Sequence, residues 1–163
     1  MAMPDWYAAV VAKLPALEVN FGVGGLRLFP PESIDAEQVG YARTSDGRPL
    51  VGEGEGAWKD GWVVIGQETC CGDPVFVDAS APRRPVFTAL HGEGSWKPQQ
   101  IAISLEAFAN CFEEFARIAQ QRDSPVAVGE NPLGDAERDG FLARIAEINR
   151  GSVAPDFWEL LIS

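Results

Sequence analysis

The segment from Ile65 to Asp78, IGQETCCGDPVFVD, places two adjacent cysteines, Cys70 and Cys71, ahead of a Gly-Asp-Pro turn. Paired thiols can ligate zinc, exchange disulfides or act as nucleophiles. Each of these chemistries needs partners at set spacings. The chain offers only one more cysteine, Cys111, and one histidine, His91. It has no Cys-x-x-Cys, His-x-x-x-His or His-Glu-x-x-His. On an extended strand, neighbouring cysteines point to opposite faces and do not readily clamp one ion. Neither a metal nor another cofactor is expected.

Other catalytic groupings are equally bare. A Ser or Cys nucleophile would have to use His91 as its base, and no Gly-x-Ser-x-Gly elbow is present. The glycines of GVGG and GEGEG lack the Gly-Lys-Ser/Thr of a phosphate loop, and Glu53 and Glu55 between the latter would repel phosphate. That second stretch reads as a mobile acidic loop. Glu113 and Glu114 are neighbours on a helix and diverge by about 100°. Asp73 and Asp78 flank a strand at a spacing that sends them to opposite faces. No acid–base dyad emerges, and the expectation is a protein without enzymatic activity.

Composition narrows the class. With 46% hydrophobic and 23% charged residues in 163, the chain is expected to fold as one domain, residues 1–163. The formal charge is −11, a balance that repels phosphate backbones and anionic lipid, so neither nucleic acid nor membrane is an expected partner. Three cysteines without framework spacing argue against a secreted disulfide scaffold. The N-terminus lacks a basic region and Lys13 interrupts its apolar run, so a cytoplasmic protein is expected.

The elements that must position these groups follow from periodicity. Residues 4–15 predict a short amphipathic helix, 26–29 a strand, and 30–42 a helix opened by Pro30 and Pro31. After a turn-rich stretch come four strand candidates, 62–66, 74–78, 85–90 and 99–103, in the close order of an antiparallel meander. Ser104 is the expected cap of a helix over 105–121, whose stripe is Leu105, Phe108, Phe112, Phe115 and Ile118. Residues 122–134 read as a linker. Asp135 is the expected cap of a helix over 136–149, and Pro155 opens a last one. The predicted fold is α+β: a central antiparallel sheet of four to six strands flanked by N-terminal and C-terminal helices.

Within that frame Trp62 is expected in the core. Trp58 and Trp96 lie in turn-rich acidic stretches, a setting that suits a protein–protein hot spot. The expected partner surface is therefore Glu53, Glu55, Trp58, Asp60, Glu93 and Trp96. The Gly72-Asp73-Pro74 step reads as the link between two central strands. Gly72 supplies backbone freedom, Asp73 bonds its own turn, and Pro74 starts the next strand. Of the two cysteines beside it, one is expected inward and one exposed.

The order of these motifs resembles the SUKH superfamily, the group named in part for the yeast Smi/Knr cell-wall regulator. The matching positions are Ile65, Gly66, Gly72, Asp73, Pro74, Val75, Phe76, Val86, His91, Trp96, Ser104 and Phe108, covering roughly residues 60–120. The resemblance implies an immunity protein that neutralises a cognate polymorphic or contact-dependent toxin, such as a nuclease, by occluding it. It also admits a regulatory or scaffold domain that binds an endogenous protein. A third reading, a small hydrolase or ligand-binding protein working through His91 and nearby carboxylates, also stays open. The implied partner is the toxin or another basic protein, and the oligomeric state is left open.

Overall fold

Short runs of Val, Ile and Phe alternating across two faces build the middle of the molecule. The computed structural model describes residues 4–163. Among these, six strands pair in chain order into one antiparallel sheet: β1 (Glu18–Phe21), β2 (Gly24–Leu28), β3 (Trp62–Glu68), β4 (Pro74–Asp78), β5 (Val86–Thr88) and β6 (Gln99–Ala102). Five helices accompany them: α1 (Asp5–Val11), α2 (Leu105–Ile118), α3 (Pro125–Glu130), α4 (Asp135–Ile148) and α5 (Asp156–Leu161). Helix α2 touches both β1 and β6, so the curled sheet partly encloses it, and α4 packs on α2. The α+β architecture expected from the sequence is the one observed. Among the described residues no helix is long and apolar enough to cross a membrane.

Both faces of the sheet are covered. The Phe76 ring lies 4.7 Å from that of Trp58 and 4.9 Å from that of Trp62. Its neighbours Val75 and Val77 therefore project from the opposite face, where they too are fully buried. Gly66 sits at a break in the β3–β4 register, and a Cβ there would lie 2.4 Å from the Arg27 carbonyl oxygen. Only glycine lets β2 approach β3 at that point.

Helix ends follow local chemistry. The Ser104 hydroxyl accepts from the Ala107 amide at 3.0 Å, as its position before the apolar stripe predicted. Helix α4 differs from expectation: Gly134 is the cap and Asp135 is the first helical residue, its charge set in the positive first turn. The expected linker contains α3, capped by the Ser124 hydroxyl. Residues 30–42 do not form one helix. They make two separate 3₁₀ turns, Pro31–Ser33 and Ala36–Gln38, and the Asp35 carbonyl accepts from the Arg43 guanidinium instead of propagating a helix. Strand β1 lies between the helix expected over 4–15 and the strand expected over 26–29, where no element was predicted.

The second of those turns has a structural task. Strand β2 ends at Leu28, opposite Gly66, and the Phe29 amide reaches the Ile65 carbonyl before the chain leaves at Pro30. Val64 is then without a strand neighbour on that side. Gln38, fully buried, fills the gap: its Oε1 accepts from the Val64 amide and its Nε2 donates to the Val64 carbonyl, each at 2.9 Å. The same amide nitrogen donates to the Ile34 carbonyl at 2.7 Å. Gln38→Leu, which keeps the volume but strips these bonds, should destabilise the fold by about 2–4 kcal/mol in a denaturant titration, because buried backbone groups lose their partners. Unchanged stability would show that Gln38 does not complete β3.

Candidate functional site

Two recesses flank the segment that joins β5 to β6, residues 89–98. The first grows from the aromatic layer. Trp58 sits at its centre, with the rings of Tyr41, Trp62 and Trp96 each 5.2 Å away. Its indole N–H donates to the Trp62 carbonyl at 3.2 Å. Trp58 is only 2% exposed, which removes it from the expected partner surface. The turn-rich residues around it concealed a core anchor, because a loop that crosses a sheet face can bury a large aromatic side chain against it. Trp62, expected in the core, is instead half-buried. Trp62, Trp96, Glu55, Lys59 and Pro98 line a groove of about 670 Å³ above that anchor.

The acidic loop beside this groove is held by hydrogen bonds. Lys59 folds back so that its ammonium donates to the Glu53 and Gly54 carbonyls. The Gly52 amide donates to the Trp58 carbonyl at 2.9 Å, and the Trp96 amide to the Gly56 carbonyl at 2.8 Å. Glu53 and Glu55 are thereby displayed to solvent next to half-buried Trp96. Asp60 is exposed at the turn into β3. Glu93, the remaining expected contact, faces the second recess instead.

That second recess, about 500 Å³, was not foreseen, because its walls come from widely separated segments. The β1–β2 hairpin, the β3–β4 turn, the end of β5 and helix α5 converge there. Val23, Leu90 and Leu160 lie on its walls and are 78%, 57% and 74% exposed. Such side chains around a concave site mark a place where apolar matter can be covered. Glu68, Asp73 and Glu93 add acid, and Lys97 adds the one lysine among its lining residues. The available sequence signal was a large apolar residue inside each of two turns, Val23 in GVGG and Leu90 before His91.

The β3–β4 turn forms one wall. Cys70 and Cys71 lie in it and not on a strand, so the expected divergence to opposite faces does not occur and both are exposed. Gly72, at φ +81°, reverses the chain. The Glu68 carboxylate organises the turn: Oε2 accepts from the Cys70 amide at 3.1 Å, and Oε1 from the amides of Cys71 at 2.6 Å and Asp73 at 3.3 Å. Its charge, with the neighbouring Cys70, pushes the Cys71 thiol above its ordinary range. Pro74 opens β4 as read from the sequence, and its carbonyl accepts from the Thr88 hydroxyl at 2.9 Å.

Asp73 does not bond its own turn, as expected, but reaches across to the β5–β6 segment. Its Oδ1 accepts from the His91 amide at 3.0 Å and lies 2.6 Å from His91 Nδ1. A ring nitrogen that close to a carboxylate oxygen carries the proton, so a neutral imidazole presents Nε2 as its free acceptor. Among the described residues no nucleophile bonds this ring, and mechanically the pair is a latch between two loops.

No family model, curated protein or solved structure matches this chain.

The third thiol contrasts with the other two. Cys111 is fully buried on α2, and burial pushes it up to about 12, although Asn149 Nδ2 donates to its Sγ at 3.5 Å. Under native conditions near pH 8, a thiol-specific reagent should label Cys70 and Cys71 and spare Cys111 until denaturant is added, counted by mass spectrometry. The raised Cys111 value implies stability that is complete below the unfolded thiol's range and declines as pH rises toward 12, since the unfolded chain loses that proton first. Rapid native labelling of Cys111 would contradict this core placement.

Proposed function

We propose that this chain is a non-enzymatic binding protein of the immunity type, which neutralises a cognate toxin by covering its basic working surface. The observation that carries the reading is a groove lined by half-buried Trp96 and Trp62 together with exposed Glu55, with exposed Glu53 on the same loop, on a chain of net charge −11. Aromatic side chains that are partly sunk and flanked by carboxylates can supply contact area together with a charged rim. Four hydrogen bonds hold the acidic loop in place, which lowers the ordering cost of docking. A nuclease toxin is the class whose substrate groove would carry the complementary charge. The toxin identity rests on the resemblance to the SUKH superfamily. The rival reading is a regulatory domain that uses the same surface on an endogenous protein.

Co-purification with the product of the neighbouring gene tests the proposal. The complex should weaken as salt is added, because the rim contacts are exposed. Glu53→Lys with Glu55→Lys should slow association, and Trp96→Ala should weaken binding by about 2 kcal/mol if it is a hot spot. The charge-reversal variant should keep the native melting profile, whereas Trp96→Ala, which also loses its packing on Trp58 and Tyr41, should melt lower and is compared at a temperature where it remains folded. Trp58→Ala should instead unfold the domain or cost about 3–5 kcal/mol of stability, as expected for a buried tryptophan. Protection of cells from that gene product separates immunity from regulation. A salt-insensitive complex untouched by these variants would place the interface elsewhere.

A further inference from the structure

The β3–β4 turn collects two thiols and a carboxylate at the wall of the apolar cleft. One ligand atom from each of Glu68, Cys70 and Cys71 lies within 4.8 Å of the others. We propose that these three residues form a binding site for a single thiophilic divalent cation of the zinc or cadmium class. The donor set argues for that class, since thiolate selects soft and borderline metals while magnesium and calcium require oxygen. A tetrahedral ion with bonds of about 2.3 Å draws its sulfur ligands to roughly 3.8 Å from one another. The exposed thiols need move by only about an ångström, within reach of side-chain rotation.

Glu68 is already oriented for the task. Two amides bond its Oε1 and one bonds its Oε2, so Oε2 keeps a lone pair for a cation. The backbone donors hold the ligating carboxylate as outer-shell groups do in metal sites generally. The cleft gives an entry path, and Asp73 and Glu93 along it supply attractive charge. Three protein ligands leave a fourth position open toward the cleft, the arrangement of a site that can accept a water or an outside donor. The site does not depend on the toxin-binding reading and uses a different recess.

The full chain, reduced and freed of metal by a chelator, is titrated with Co²⁺ and then Cd²⁺ while thiolate-to-metal charge-transfer absorption is followed. One ion per chain should bind, and Zn²⁺ should displace Co²⁺. Cys70→Ser and Cys71→Ser should each weaken binding at least about tenfold, and the double variant should lose the band. Cys111→Ser should leave the band intact. Glu68→Gln should weaken binding about tenfold, and its thermal melt without metal shows whether the turn survives. If that variant unfolds, the two serine variants, altered only at exposed positions, still decide the matter. Absence of a charge-transfer band at stoichiometric metal would overturn the proposal. So would a band that persists in the double serine variant, one ion shared by two chains, or affinity indifferent to a folded Glu68→Gln.

Discussion

A buried peptide group must find a hydrogen-bond partner, and much of this molecule is organised around strands too short to supply them all. β2 stops before β3 does, and the Gln38 amide continues the ladder as a one-residue strand. At the other edge, among the described residues, no strand lies beyond β6, and side chains close it. The Trp158 indole N–H donates to the Ile101 carbonyl at 2.9 Å, and Asn149 Oδ1 accepts from the Ile103 amide at 3.0 Å. The Tyr7 hydroxyl donates to the Phe29 and Ile65 carbonyls, where the chain leaves β2. Each of these bonds docks another element onto the sheet: the 3₁₀ turn at 36–38, then α5, the end of α4, and α1. Completing the sheet and assembling the tertiary fold are the same event.

The aromatic layer follows from that constraint. With α2 enclosed by the sheet, the opposite face of β3 and β4 would expose Phe76 unless the connection from β2 to β3 crossed it. That connection carries Trp58 across and seats it among Tyr41, Trp62, Phe76 and Trp96. A loop anchored by so large a side chain can then display its remaining residues at fixed positions. The Lys59 ammonium donates to two loop carbonyls, and the carboxylates of Glu53 and Glu55 are left for solvent or a partner.

Much of the sheet was legible because its signals are local. Strand β4 falls on the predicted 74–78, Ser104 caps α2, and Leu105, Phe108, Phe112, Phe115 and Ile118 are all buried. The failures share a cause. The segment 30–42 has helix-opening prolines, but Gln38 and Asp35 use their polar groups on distant partners, and no periodicity encodes that. Trp58 sits in a sequence that reads as loop, and its burial depends on which sheet face the loop crosses. Strand β1 shows alternation over only four residues, Glu18–Phe21, beside a glycine-rich stretch. The apolar cleft could not be read at all, since Val23, Leu90 and Leu160 become neighbours only through the meander and the docking of α5.

The adjacent cysteines illustrate the limit most sharply. Neighbours on a strand do diverge, but Cys70 and Cys71 lie in a turn. β3 ends at Glu68, and the reversal at Gly72 folds Cys70 and Cys71 around the carboxylate of that last strand residue. Asp73 then extends the organisation of the turn to His91, and the segment beyond His91 is held again at Trp96 by the Gly56 carbonyl. Glu93 lies between these two anchors on the cleft side, while Trp96 lines the groove. One stretch of chain therefore forms a wall of each recess, pinned at one end by the thiol-bearing turn and at the other by the acidic loop. Lys97, near the Trp96 anchor, lines both recesses.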